Sequence, residues 1–185
     1  MLKELYKDSE TRMQKAIEAI NREMAGVRTG KASPKILDGI KVEYYGTPTP
    51  LIQVASVSTP DPKMIVIQPW EQTMVPEIIK ALQKADLGLN PLAEGNMVRL
   101  PIPPLNEDRR QEMVKLVKKL GEDGKVAIRN IRRDINERLK KAEKDTEITE
   151  DEHKTAQKHI QDLTDKSIKR LDDMVVIKEK EVMEI

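Results

Sequence analysis

The chain has 185 residues, with 33 Lys+Arg against 32 Asp+Glu for a formal net charge of +1, which sizes it for one domain or two small ones. Cys is absent, so disulfides, thiolate zinc sites and thiol nucleophiles are excluded. Phe is absent too, and Trp70, Tyr6, Tyr44 and Tyr45 are the only aromatics, which argues against a single-strand reader that stacks bases on aromatic platforms.

Residues 1–28 predict a long amphipathic helix. Leu2, Tyr6, Ser9, Met13, Ile17, Ile20, Met24 and Val27 recur every three to four residues, the spacing of one apolar stripe. The opening MLKELYKDSE is charged from its third residue and has no apolar core, so no secretory signal is expected. No apolar run is long enough to span a membrane. Thr29-Gly30 and then Pro34 end the helix.

Between about 31 and 105 the prolines concentrate. Ile40, Val42 and Tyr44 alternate with Lys41, Glu43 and Tyr45, predicting a half-buried strand. Residues 46–50 (GTPTP) predict a turn or loop, 51–58 a second strand, and 64–68 (MIVIQ) a third strand buried on both faces. A short helix is expected over 73–86, with Thr73 as N-cap and Pro76 in the first turn. A turn at 87–91 and a strand at 96–100 complete a small α+β unit, and Pro101, Pro103 and Pro104 stiffen its exit.

Helix returns from about 107 to 144. Its stretch 124–139, GKVAIRNIRRDINERL, has two faces. Ile128, Ile131, Ile135 and Leu139 fall within about 80° of each other, and Arg129, Arg133, Asn136 and Lys140 within about 60°, on a stripe roughly 120° away. Lys115, Lys118 and Lys125 project onto the same basic stripe. Arg132 lies between the two, its stem able to pack while its guanidinium stays free. Gly121 and Gly124 project onto the core face, allowing either a close helix crossing or a break. After a turn at 144–148, Thr149 and Glu152 form a capping box, and a third helix runs from about 150 to 184.

Charge is segregated along these helices. Residues 109–144 hold 13 Lys/Arg against 6 Asp/Glu, whereas residues 145–185 hold 7 against 12. The basic stripe fits a polyanion such as nucleic acid. It also fits a solvated face, or simple attraction between the two helices.

One helix precedes the α+β segment and two follow it, so the simplest architecture folds the three helices into one bundle. The fold class expected is therefore α+β in two domains. Residues 1–29 with 106–185 form domain I, a long three-helix bundle, and residues 30–105 form domain II, the inserted β/α/β domain. The connections, Thr29, Gly30, Lys31 and Pro104, Leu105, Asn106, are expected to act as a hinge in an elongated, bent molecule.

Catalytic motifs are missing. His153 and His159 are six residues apart and far apart around a helix. GVRTGK at 26–31 follows a helix and lacks the Lys-Ser/Thr end of a phosphate loop. A non-enzyme without cofactor or metal is expected.

Several stretches carry a resemblance that composition cannot supply. VRTGKASPKILDGIKVEYYGTPTPL, DLGLNP, RLPIPPLNEDRR, VAIRNIRRD and EITEDE occur in the order found in the ribosome recycling factor family, and the chain resembles that family over its whole length. Ile135 and Glu71 depart from the family's pattern. The resemblance implies a three-helix domain I and a small domain II, L-shaped like transfer RNA. It implies binding to the large ribosomal subunit after termination and, with elongation factor G and its GTP hydrolysis, splitting of the ribosome. It implies ribosomal RNA contacts at Arg28, Arg110, Arg129, Arg132 and Arg133. The absence of Cys points to the cytoplasm, and a monomer away from membranes is expected. A helical adaptor or co-chaperone that binds proteins without RNA, and an enzyme with an unrecognised site in the insert, are the alternatives.

Overall fold

A computed structural model describes residues 1–184. The chain divides into two compact units, one made of Met1–Val27 and the chain from Arg110 onward, the other of Arg28–Arg109.

The first unit is a three-helix bundle. Its rods are α1 (Leu2–Ala25), α4 (Glu107–Lys144, which enters the unit at Arg110) and α5 (Glu150–Met183). At 38 residues, α4 is about 57 Å long. Two apolar clusters stack along the bundle. Met13, Ile17, Ile20, Met24, Val117, Leu120, Ile128, Leu171 and Val182 form one. Leu5, Ile135, Leu139, Ala142, Ile148, Ala156 and Ile160 form the other. Buried hydroxyls cause no deficit of hydrogen bonds, because Ser9 donates to the Leu5 carbonyl at 2.9 Å and Thr164 to the Ile160 carbonyl at 2.7 Å. Helix α4 runs unbroken through Gly121 and Gly124, which are both buried. A Cβ on Gly121 would collide with Val175 Cγ2, and one on Gly124 would stand 2.9 Å from Ile20 Cγ1 and 3.1 Å from Leu171 Cδ1. The glycines therefore mark close crossings, and the alternative of a helix break is excluded.

The expected capping box opens α5. Thr149 Oγ1 accepts from the Glu152 N–H at 3.2 Å, and Glu152 Oε2 accepts from the Thr149 N–H at 2.8 Å. Loss of the threonine hydroxyl in Thr149→Ala is expected to cost about 1 kcal/mol, measured by urea unfolding. The bonds from the Thr149 backbone and side chain hold the Glu152 carboxyl below its usual range. A carboxyl lowered in the folded state contributes stability above its unfolded pKa and loses it as pH falls through the folded value. The gap between parent and Thr149→Ala should therefore narrow on acidification.

The second unit is α+β. A hairpin pairs β1 (Lys41–Tyr44) with β2 (Thr47–Pro50). Tyr45 and Gly46 close it, both at positive φ (46° and 79°), the geometry of a two-residue type I′ turn. The loop expected at 46–50 is thus largely strand. Pro48 and Pro50 alternate with Thr47, Thr49 and Leu51, and Leu51 N donates to the Ile40 carbonyl at 3.1 Å. The residues whose nitrogens face β1 keep their N–H groups. The prolines, which have no N–H, turn their nitrogens outward, as an edge strand permits.

The strand expected at 51–58 begins instead as a single helical turn, α2 (Leu51–Val54), followed by β3 (Ala55–Asp61). A strand would have placed Gln53 on the buried face with Leu51. The turn buries Leu51 and Val54 together and leaves Gln53 exposed. A four-stranded antiparallel sheet follows in the order β3-β4-β6-β5, with β4 at Met64–Pro69, β5 at Leu92–Glu94 and β6 at Met97–Pro101. Strand β4 is fully buried on one face only, through Ile65 and Ile67, while Met64 and Val66 are half-buried. Strand β5 is fully exposed along its length and so carries no alternation to reveal it.

Helix α3 (Val75–Lys84) buries Val75, Ile78 and Leu82. Pro76 lies in its first turn as expected. Thr73 is not the N-cap: a 3-10 turn at Gln72–Met74 leads in, and the cap residue, Met74, offers no side-chain bond.

Candidate nucleic-acid interface

The bundle's apolar stripe sets the direction of its cations. Ile128, Ile135 and Leu139 are fully buried, which turns the opposite edge of α4 outward. Arg133 and Lys140 are exposed there, and Arg129 and Arg132 are half-buried. Arg110, Arg129 and Arg133 have no hydrogen bond or ion pair to a protein group among the described residues.

Other cations of the stripe are answered by α5. Lys125 Nζ lies 2.5 Å from Asp172 Oδ1 and 3.2 Å from Glu122 Oε1. Hydrogen bonding to Asp172, then to Glu122, outweighs desolvation and holds the Lys125 ammonium above the usual lysine range. Lys118 lies 3.9 Å from Glu179. Attraction between the basic and acidic helices therefore accounts for these two lysines. It does not account for Arg129 and Arg133, which lie further along α4.

Arg132 is not free, contrary to the sequence expectation. Its Nη1 donates to Gln161 Oε1 at 3.1 Å, and Gln161 Nε2 donates in turn to Asp165 at 2.8 Å. The partner is neutral, so the guanidinium keeps its charge while α5 orients it. Asn136 has a buried side-chain oxygen without a protein partner among the described residues. Gln161 was invisible in the sequence because a glutamine on the outer side of a helix has no periodic signature.

Arg28 is not on the bundle. It belongs to the α+β unit, where its guanidinium donates to the Leu87 carbonyl beside Gly88. On α1, Arg12 pairs with Asp134, and Asp8 takes Arg138 at 2.7 Å. These pairs join α1 to α4 and leave the free arginines untouched. His153 pairs with Glu143, and the His159 ring lies 4.2 Å from that of Tyr6, so both histidines hold structural contacts.

Together these features define a two-domain α+β protein whose helical bundle carries a row of uncompensated arginines. The family profile described as Ribosome recycling factor matches residues 20–183. Ribosome-recycling factors of Exiguobacterium sibiricum and Bacillus licheniformis are 54% and 51% identical to the chain, each over 185 residues, with full coverage of both chains. A solution structure of a ribosome recycling factor superposes with a TM-score of 0.82 at 42% identity, covering 100% of this chain and 98% of that one. A second structure, at a TM-score of 0.68 and 44% identity with full coverage of both chains, contains models of the T. thermophilus ribosome recycling factor and E. coli elongation factor G bound to the E. coli post-termination complex. The chain belongs to the ribosome recycling factor family.

Proposed function

We propose that this protein binds the large subunit of post-termination ribosomes and, with elongation factor G and GTP hydrolysis, splits them into subunits for reuse. The observation that carries this reading is the family match over residues 20–183. The chemistry of the bundle agrees with it. Arginine forks grip phosphate oxygens in pairs, and Arg110, Arg129 and Arg133 have guanidiniums with no competing carboxylate among the described residues. Arg132, oriented by Gln161, joins them as an RNA contact. Arg28 contributes from the other unit through the face of its guanidinium not used by Leu87.

The protein acts by binding and movement, and the hydrolytic step belongs to the elongation factor, so it is not itself an enzyme. It works as a monomer in the cytoplasm; no described helix is long and apolar enough to cross a membrane. The hinge lies at Thr29–Lys31 and Pro104–Asn106. Gly30, at φ 75°, is packed so that a Cβ would stand 3.4 Å from Leu105 N, so the two connections run side by side.

Co-sedimentation with purified large subunits tests the binding, and light scattering of post-termination complexes tests the splitting. Retention on large subunits and a scattering decrease that requires both the elongation factor and GTP are expected. Absence of retention at low salt would overturn the reading.

A further inference from the structure

Three of the chain's four aromatic residues gather around one carboxylate in the α+β unit. Tyr44 and Tyr45 donate their hydroxyls to Glu71, one to each oxygen, at 2.9 and 2.8 Å. Their rings meet edge to face, with centroids 4.6 Å apart. Trp70 precedes Glu71, and its backbone is fixed by donation to the Val54 carbonyl at 3.0 Å. The unit's apolar core excludes Trp70 and Tyr45, which are 68% and 78% exposed. Exposure this large is uncommon for tryptophan, whose ring is highly buried on average.

Tyr44, Trp70 and Glu71 line a cleft of about 200 Å³, with the buried Val54 and Met74 also in its wall. The cleft is smaller than the roughly 300–1,000 Å³ typical of small-molecule sites, and suits a single side chain. Aromatic faces attract cations through their quadrupoles, most strongly for tryptophan. A carboxylate at the same place adds a full negative charge. The Glu71 bonds also keep both phenols protonated to higher pH than usual, so they remain donors that pin the carboxylate. A nucleic-acid strand would bring phosphates toward this carboxylate, which opposes base stacking on Trp70.

We infer that the cleft formed by Tyr44, Trp70 and Glu71 is a docking site for a protein partner, and that it takes one arginine or lysine side chain of that partner. The site stands on the α+β unit alone and uses no residue of α4. Its failure would leave the large-subunit reading in place.

Trp70 is the only tryptophan, so its fluorescence reports the cleft directly. The full-length protein is titrated with a capped tri-arginine peptide, and in parallel with a capped tri-glutamate peptide and a single-stranded uridine oligonucleotide. A saturable fluorescence change with tri-arginine alone is expected. Glu71→Gln, which keeps the shape and removes the charge, should weaken it by at least about tenfold. Glu43→Gln, on the opposite face of β1, should not. The idea is overturned if tri-arginine gives no saturable change, if Glu71→Gln binds as the parent does, if both variants weaken equally, or if the oligonucleotide saturates instead. Should Glu71→Gln lose its fold, magnetic resonance of the parent decides. Tri-arginine must then shift the Trp70 indole N–H and leave the α5 amides in place; any other pattern overturns the assignment.

Discussion

The double variant Arg129→Ala/Arg133→Ala is expected to bind purified large ribosomal subunits roughly a hundredfold or more weakly than the parent. Neither arginine has a protein partner among the described residues, so their removal leaves no buried charge behind. Each charge-assisted contact contributes about 1.5–3 kcal/mol, and two adjacent contacts need not add in full. The dependence of log affinity on log salt should become shallower by roughly 0.7–0.9 for each phosphate no longer neutralised. The melting temperature should stay near the parent's, because Ile128 and Ile135 still fill the stripe. Arg132→Ala should cost roughly ten- to a hundredfold, since Gln161 orients the guanidinium without neutralising it. Lys166→Ala, exposed on α5, is the control. Parental binding by the double variant would dismiss α4 as the RNA-binding face.

The largest stability effect is expected at the glycine crossing. Gly124→Ala improves helix propensity by about 1 kcal/mol. Against this, the new methyl group meets Ile20 at 2.9 Å and Leu171 at 3.1 Å. Leu171 is fully buried and Ile20 nearly so, and overpacking a core of this kind costs about 1–3 kcal/mol. The net effect should be destabilising, and Gly124→Leu should reach about 3 kcal/mol. Gly121 shows the shorter approach, to Val175. Val175 is only half-buried and can yield toward solvent, so Gly121→Ala should be the milder change. The complementary Leu171→Ala should cost about 2–5 kcal/mol by leaving a cavity. Urea unfolding of the four variants measures the series, and a Gly124→Ala protein as stable as the parent would refute it.

The bundle was legible because its signal is long. Met13, Ile17, Ile20 and Met24 recur every three or four residues, and a stripe sustained over that length has no other good solution than burial. The capping box was legible because Thr149 and Glu152 satisfy one another locally. The family resemblance was equally readable, since VRTGKASPKILDGIKVEYYGTPTPL and VAIRNIRRD are long and uncommon. The insert was harder. LIQVASVS at 51–58 reads as strand by residue type, yet burying Leu51 with Val54 requires a helical turn, and that demand comes from the core beneath it. GTPTP at 46–50 reads as loop because proline weakens strands. The strand survives because both prolines fall at alternate positions whose nitrogens face away from β1. At the interface, the arginines of α4 were visible as a stripe. Which cations of that stripe find a partner depended on Asp172, Glu179 and Gln161 of α5, which take Lys125, Lys118 and Arg132, and whose register against α4 no local pattern records.

The proline spacing in β2 reaches beyond its own hairpin. Among the described residues β2 pairs with β1 alone, so no strand covers its other side. Along that side the outward nitrogens are those of Pro48 and Pro50, which have no hydrogen to donate. An extended segment from a second chain laid against it would find carbonyls but no alternating donors, and could not continue the ladder. The β2 rim of the hairpin is thereby closed to strand-by-strand self-assembly, so this edge stays open to solvent without becoming a template for aggregation.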